Sequence, residues 1–233
     1  MLNFIGIGAQ KSGTTWLYKA LSLSPLVKFP GGKEVHFWNA NYEKGLNWYK
    51  NLFTEPGRIH GDITPAYGIL QRDIIAEVYQ NFPNARLFFI IRNPLERAWS
   101  SALMALKRAE MTFDEASDQW FIDHFKSKGS LARGDYESCL KNWLSFYPRN
   151  SLLTIRYEHL ASDPVLLAEK CFAHIGLKFN PTREEKSILT QRVFPGSGHE
   201  IRPNLHEYLK DLYHGKIMSL SSYLGSNLDE WTR

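Results

Sequence analysis

The sequence predicts an α/β protein with a P-loop-like, three-layer fold: a central, mostly parallel sheet with helices on both faces. Three observations carry this. Leu87-Phe88-Phe89-Ile90-Ile91 is an unbroken apolar run, the composition of a strand buried on both faces. Short apolar segments alternate with amphipathic helical ones along the whole chain. Two of those apolar segments, ending at Gly8 and at Ile91, run directly into helix-start signals, as strand–helix units do.

In chain order, Leu2 to Gly8 reads as a buried strand rich in Ile and Phe. A glycine-containing loop follows, then a helix from Thr15 to Leu23. Glu43 to Phe53 is a short helical or irregular stretch, Arg58 to Ile63 a second strand and Arg72 to Phe82 a helix. After the Leu87–Ile91 strand, Asn93-Pro94-Leu95-Glu96 combines an N-cap residue, a first-turn proline and an acidic third residue, so a helix starts there and runs to about Lys107. Thr112-Phe113-Asp114-Glu115 repeats the capping pattern and predicts a helix ending near Lys126. Tyr136 to Phe146 reads as an amphipathic helix and Leu152 to Ile155 as a strand. Asp163-Pro164 and Asn180-Pro181 are further helix starts, and Asn204 to Leu224 is a C-terminal helix. No repeat, low-complexity tract or Pro/Ser-rich linker interrupts the chain, so residues 1–233 are read as one domain.

Composition narrows the function classes. With 233 residues, 43% hydrophobic and 22% charged, the chain has the make-up of an ordinary globular domain with a sizeable core. A net charge of +4 suits an anionic ligand but is far from the dense basic stripe of a nucleic-acid binder, so no nucleic-acid partner is expected. Cys139 and Cys171 lie in apolar helical contexts, which points to a reducing compartment rather than a disulfide framework. No apolar run approaches the ~20 residues of a membrane span, and no signal-peptide pattern precedes the first strand. A cytoplasmic location is therefore expected. No His/Cys/Asp cluster has metal-ligand spacing, so no metal is expected. Oligomeric state leaves no mark on the sequence.

The first strand–helix loop is Gly8-Ala9-Gln10-Lys11-Ser12-Gly13-Thr14-Thr15. Its glycine spacing matches that of a phosphate-binding P-loop. Glycines let the backbone wrap an oxyanion, and the helix N-terminus adds partial positive charge. The residue after the second glycine is Thr14 and not lysine, so the lysine that serves the β- and γ-phosphates in nucleoside-triphosphate enzymes is missing. Lys11, inside the loop, instead suits a single 5′-phosphate carrying a leaving bond, where it neutralises charge developing on the bridging oxygen. At the second loop, Arg92 follows the apolar strand directly. Leu95, Trp99, Ala102 and Leu106 form the core-facing stripe of the helix, while Asn93, Arg97 and Ser100 share another face. Arg92 and Ser100 are placed to hold a second phosphate.

With these residues in view, the chain resembles the PAPS-dependent sulfotransferases, whose donor is 3′-phosphoadenosine 5′-phosphosulfate (PAPS) and whose nucleotide product is adenosine 3′,5′-bisphosphate (PAP). Lys11-Ser12-Gly13-Thr14-Thr15-Trp16 resembles their 5′-phosphosulfate loop. Arg92 followed eight residues later by Ser100 resembles their 3′-phosphate motif. Lys33-Glu34-Val35-His36-Phe37-Trp38 and Thr64-Pro65-Ala66-Tyr67 are similar to segments of the heparan-sulfate type and its bacterial relatives. Gly134-Asp135-Tyr136, Leu140, Trp143 and Ser197-Gly198 with Pro203 echo the same type.

The resemblance implies a role for each residue. Lys11 contacts the sulfuryl-bearing phosphate and takes part in catalysis, and Ser12, Gly13, Thr14, Thr15 and Trp16 complete the 5′ cradle. Arg92 and Ser100 bind the 3′-phosphate. Ser197 and Gly198 close over the cofactor. Glu34 is the general base, and the reaction is an in-line transfer to an acceptor hydroxyl of a glycan, glycolipid or small alcohol. Two departures stand out, the first leaving sulfuryl transfer to Lys11 alone or with Lys33 as substitute, and both arguing against assuming a heparan-type acceptor. Ile63 stands where the heparan-sulfate enzymes carry a lysine before Thr-Pro, and Gly198-His199 replaces their Gly-Arg.

Rival readings remain at this point. His36 competes with Glu34 as base, since a neutral imidazole accepts protons near pH 7. Glu34 also reads as a surface carboxylate paired with Lys33. Trp38, Tyr42, Trp48, Tyr49 and Tyr67 read either as a platform for a sugar ring or as core. Lys107-Arg108 is the nearest basic cluster and also a natural helix end. At the level of the whole chain, the alternatives are a P-loop kinase or NTPase and a non-catalytic nucleotide-binding module.

Overall fold

A computed structural model describes residues 1–191 and 198–232. Among these residues the chain forms two compact units. One is built on Met1–Ile91 and resumes at Lys141; the other comprises Arg92–Leu140 and the C-terminal segment.

The first unit holds a five-stranded sheet whose pairings are all parallel: β1 (Leu2–Gly8), β2 (Val27–Lys28), β3 (Ile59–Ile63), β4 (Arg86–Ile91) and β5 (Leu152–Arg156), in the order β2-β3-β1-β4-β5. Parallel neighbours need crossovers, and these carry the helices: α1 (Thr14–Leu21), α2 (Phe37–Ala40), α3 (Leu46–Asn51) and α4 (Arg72–Asn81). β1 lies between β3 and β4, with Ile5 opposite both Asp62 and Leu87. Side chains alternate across the sheet. Phe4, Phe88, Ile90 and Ile155 share a core with Leu17 and Leu21 of α1 and Phe172 of a later helix, and the Phe4 and Phe88 rings meet edge-on at 5.8 Å. Ile5, Ile7, Leu87 and Phe89 are buried in turn. Each fully buried side chain of this size contributes about 1.5–3 kcal/mol. On that face the 3-10 turn Pro65–Ile69 packs along β1, and its Tyr67 carbonyl accepts from Trp143 Nε1 at 3.1 Å.

The second unit is helical: α5 (Pro94–Arg108), α6 (Asp118–Lys126), α7 (Lys128–Gly134), the first part of α8 (Tyr136–Leu144), and the long C-terminal helix. The chain then returns to the first unit for β5, α9 (His159–Ser162), α10 (Pro164–His174) and α11 (Arg183–Thr190), before α12 (Pro203–Leu224) completes the second. α5, α6, α7 and α12 pack on one another. α7 and α12 approach closely where a Cβ on Gly134 would fall 2.5 Å from the Tyr213 ring.

The expected strands and long helices are present within a residue or two. Two capping expectations are corrected. Thr112 and Glu115 bond to each other in a local turn, and α6 begins later, capped by Ser117, whose Oγ accepts from Trp120 N at 3.2 Å. Asn180-Pro181 precedes a helix without opening it; Thr182 and Glu185 form the capping box of α11. The two-residue edge strand β2 and the short helices α7 and α9 had no periodic pattern long enough to announce them. Among the described residues no helix is long and apolar enough to cross a membrane.

Candidate functional site

The first loop leaves the carboxyl end of β1, and Ala9 N donates to Ile90 O of β4 at 3.0 Å, fixing its start against the neighbouring strand. Lys11 (φ 67°) and Gly13 (φ 90°) both lie in the left-handed region. For lysine that conformation costs on the order of 1–3 kcal/mol and persists only where the surroundings impose it. Left-handed residues in a strand–helix loop are the setting in which successive N–H groups can line an anion-binding concavity. α1 then begins, with Trp16 N and Leu17 N donating to Gly13 O at 2.9 and 3.3 Å. A Cβ on Gly13 would lie 2.4 Å from Leu160 Cδ2, so that side chain would have to move.

Within this loop Ser12 is 0% exposed and its buried Oγ has no hydrogen-bond partner. Leaving a buried hydroxyl unsatisfied costs about 1–3 kcal/mol, so Ser12 Oγ has hydrogen-bonding capacity that the chain itself does not use. An oxyanion would take up that capacity. Thr14 is buried beside it and Thr15 is half-buried. The Trp16 ring is in the core and its Nε1 donates to Leu189 O at 3.0 Å, which anchors α1 beneath the loop.

Glu34 lies between two partners. Its Oε1 pairs with Lys33 Nζ, and its Oε2 is 3.1 Å from His36 Nε2. The two candidate bases are thus hydrogen-bonded to each other, and the expected Lys33 pairing is present as well. His36 holds a left-handed backbone (φ 56°), its Nδ1 meets Asn39 Oδ1 at 3.1 Å, and its backbone N–H donates to Thr64 Oγ1 at 3.3 Å.

Thr64 leads to a feature the sequence reading passed over. Its hydroxyl donates to Asp62 Oδ1 at 2.6 Å, while Tyr49 and Tyr67 donate their phenols to Asp62 Oδ2 at 2.8 and 2.9 Å. Asp62 is 0% exposed. Burial pushes its carboxyl above the usual range, against the pull of Thr64, Tyr49 and Tyr67. Burial, and then the Asp62 charge, pushes both phenols up, so they remain donors. A signal was available: Asp62 is an acid in the short strand Ile59-His60-Gly61-Asp62-Ile63, directly before the apolar Ile63. The network also adjoins the first loop, because a Cβ on Gly8 would stand 3.4 Å from the Pro65 carbonyl.

The aromatic platform divides. Trp38, Tyr49 and Tyr67 are core, with Phe37 stacked on Tyr49 at 4.6 Å. Tyr42 and Trp48 are exposed, at 46% and 36%, and Tyr42 OH donates to Glu77 at 2.7 Å.

In the second unit, Arg92 follows the last residue of β4. Asn93 caps α5 as expected, accepting from Leu95 N at 3.0 Å. Glu96 does not close a capping box; it accepts from Arg92 Nε and Nη2 at 3.0 and 2.8 Å. Ser100 lies half-buried two turns along α5. Arg97, expected on the same face, is instead fully buried and donates to Ser130. Gly198 is exposed with φ 79°, and the next residue is tied down: His199 O accepts from Trp99 Nε1 at 2.9 Å and its ring stacks on Phe113 at 4.3 Å. Ser197 lies outside the described residues. Lys107 and Arg108 form the exposed end of α5. Among the described residues no group of three or more His, Cys, Asp or Glu is arranged to hold a metal ion.

Comparison with known proteins adds a family. Residues 3–196 match the family described as Sulfotransferase domain. Human heparan sulfate glucosamine 3-O-sulfotransferase 6 is 30% identical over 194 residues, 81% of this chain and 56% of that protein. Human heparan sulfate glucosamine 3-O-sulfotransferase 3B1 is 32% identical over 180 residues, 74% of this chain and 45% of that protein. The chain therefore spans about half the length of the curated relatives it matches. Among solved structures, a sulfotransferase from Alicyclobacillus acidocaldarius superposes with a TM-score of 0.77 at 26% identity, covering 100% of this chain and 99% of the other. A mouse sulfotransferase complexed with PAP gives 0.64 at 16% identity over 97% and 89%, a likeness of fold.

Proposed function

The chain belongs to the sulfotransferase family, and from that premise we propose that it transfers a sulfuryl group from PAPS to an acceptor hydroxyl, releasing PAP. The donor supplies an activated sulfuryl group whose S–O bond to the 5′-phosphate breaks as the acceptor oxygen attacks in line. The chain's own residues position, neutralise and deprotonate. The segment from Lys11 to Trp16 holds the 5′ end through backbone N–H groups and the Ser12 hydroxyl. Lys11 offsets negative charge on the departing phosphate oxygen. Arg92 and Ser100 hold the 3′-phosphate, with Arg92 exchanging its Glu96 partner for it. Gly198, with Ser197 before it, flanks the nucleotide.

Glu34 takes the acceptor proton once its pairing with Lys33 and His36 loosens, and His36 is placed to steady the resulting acid. The acceptor class follows the curated relatives, which are named for heparan sulfate: a glycan hydroxyl is the first candidate, a glycolipid or small alcohol the next. Tyr42 and Trp48 are the exposed rings available to such a substrate. The observation that carries the reading is the buried, unsatisfied Ser12 hydroxyl inside a left-handed loop at a strand–helix junction. The test is thermal melting with PAP against ATP–Mg²⁺. A ligand at 100 times its Kd stabilises by about 2.7 kcal/mol, so PAP is expected to raise Tm and ATP–Mg²⁺ to leave it unchanged. The reverse pattern would restore the kinase or NTPase reading. Stabilisation by PAP with no sulfuryl transfer to any hydroxyl would favour a binding module.

A further inference from the structure

Arg97 of α5 is 0% exposed. Its Nη2 donates to the Ser130 carbonyl at 3.0 Å and hydroxyl at 3.2 Å, but Nε and Nη1 are buried and meet no acceptor. Arg133, one turn beyond Ser130 on α7, donates Nη1 to Gly129 O at 2.9 Å, and its Nε is likewise buried without a partner. His124 of α6 completes the group, its Nε2 3.2 Å from the hydroxyl of Ser101, which lies one turn from Arg97 on α5. Among the described residues neither arginine forms an ion pair with a carboxylate.

Guanidinium groups do not shed their proton in proteins, and a buried charge is normally paired. Here the neighbours are themselves cationic. Burial, then the charges of Arg97 and Arg108, depresses Arg133; burial, then Arg97 and Arg133, depresses His124 and favours the neutral imidazole. These couplings place the three groups within electrostatic reach of one another. The cluster therefore combines two positive charges, three donor nitrogens without a partner and no anion of its own.

We infer that Arg97 and Arg133, with His124 beside them, hold a small monovalent inorganic anion of chloride's size inside the second unit. The size follows from enclosure: Arg97, Ser101 and Ser130 are all buried, and access is from the partly exposed Arg133 and His124 side. None of these residues belongs to the proposed sulfuryl-transfer machinery, so the inference stands apart from that reading.

The test is thermal melting at constant ionic strength while sodium gluconate is replaced stepwise by sodium chloride. Wild type is expected to show a saturable rise in Tm of about 3–6 °C once chloride exceeds its Kd about tenfold. Arg97→Met should abolish the rise, and Arg133→Gln should raise the half-saturating chloride about tenfold or more. Should Arg97→Met fail to fold, the more exposed Arg133→Gln decides alone. Identical melting in chloride and gluconate overturns the proposal. So does a chloride response that Arg133→Gln leaves undiminished, which would put the ion elsewhere. A sulfate response that Arg133→Gln removes would overturn the size assignment.

Discussion

Replacing Asp62 tests the central polar network of the first unit. The carboxylate has no exposed surface and accepts three hydroxyl hydrogen bonds on two oxygens. Asp62→Ala strands the Tyr49 and Tyr67 phenols in the core and frees the Thr64 hydroxyl. At about 1–3 kcal/mol for each buried donor left unsatisfied, the two phenols set the expected loss at about 2–6 kcal/mol. Asp62→Asn keeps one oxygen and turns the other position into a donor. The amide oxygen can still accept from both phenols, while its nitrogen donates to Thr64 after the hydroxyl rotates. The loss should then be only about 1–2 kcal/mol at neutral pH.

The pH dependence has a definite sign. Burial raises the Asp62 carboxyl above its unfolded value, so its contribution is fully present below the unfolded value of about 3.9 and is lost as pH rises through the higher folded value. The deficit of Asp62→Asn relative to wild type should therefore be largest in acid and shrink toward neutrality. Urea unfolding between pH 3.5 and pH 7, with conditions from about that range, reads both effects. An Ala variant within about 1 kcal/mol of wild type, smaller than one stranded buried donor, or an Asn deficit that grows with pH, would refute the reasoning.

Other substitutions probe separate links. Lys11→Ala should reduce turnover by at least ~10²-fold, the scale of one lost transition-state donor, while full activity in a sulfuryl-transfer assay would remove Lys11 from the mechanism. Gly13→Ala forces alanine into a left-handed backbone and a Cβ to within 2.4 Å of Leu160; a loss of about 1–3 kcal/mol by urea unfolding is expected, and unchanged stability would contradict the loop geometry. Hydrogen bonds from Arg202 and then Asn204 hold Asp118 below the usual carboxylate range. That stability is present above the unfolded value of about 3.9 and is lost as pH falls through the lower folded value. Arg202→Met should flatten the acid limb of the urea midpoint, and an unaltered limb would show the pairing to be idle.

Strands and the two strand–helix loops were legible in the sequence because their causes are local. Leu87 to Ile91 can only be a buried strand, and a glycine-bearing turn between strand and helix leaves few other uses. Asn93 is a cap wherever it precedes Pro94. What stayed hidden depended on contacts distant in sequence. Nothing near Asp62 announces that Tyr49 will donate to it, and nothing near Arg97 announces Ser130. Helical spacing placed Arg97 beside Ser100, but burial is decided by what packs on the helix, and α7 was itself unseen. Thr112 shows the converse limit. A capping pattern specifies two reciprocal hydrogen bonds; Thr112 N and Oγ1 both donate to Glu115 Oε2, no helix starts at that pair, and α6 begins only at Asp118.

The return of the chain at Lys141 bears on how the protein is made. β5 pairs with β4, yet the ribosome must deliver all of Arg92–Leu140 between them. At about 5–20 residues per second this is an interval of several seconds. Throughout it, β4 has an open edge, with the apolar Phe88 and Ile90 beside unpaired backbone. That nascent edge is the place where a stalled chain would be most prone to associate with a second one.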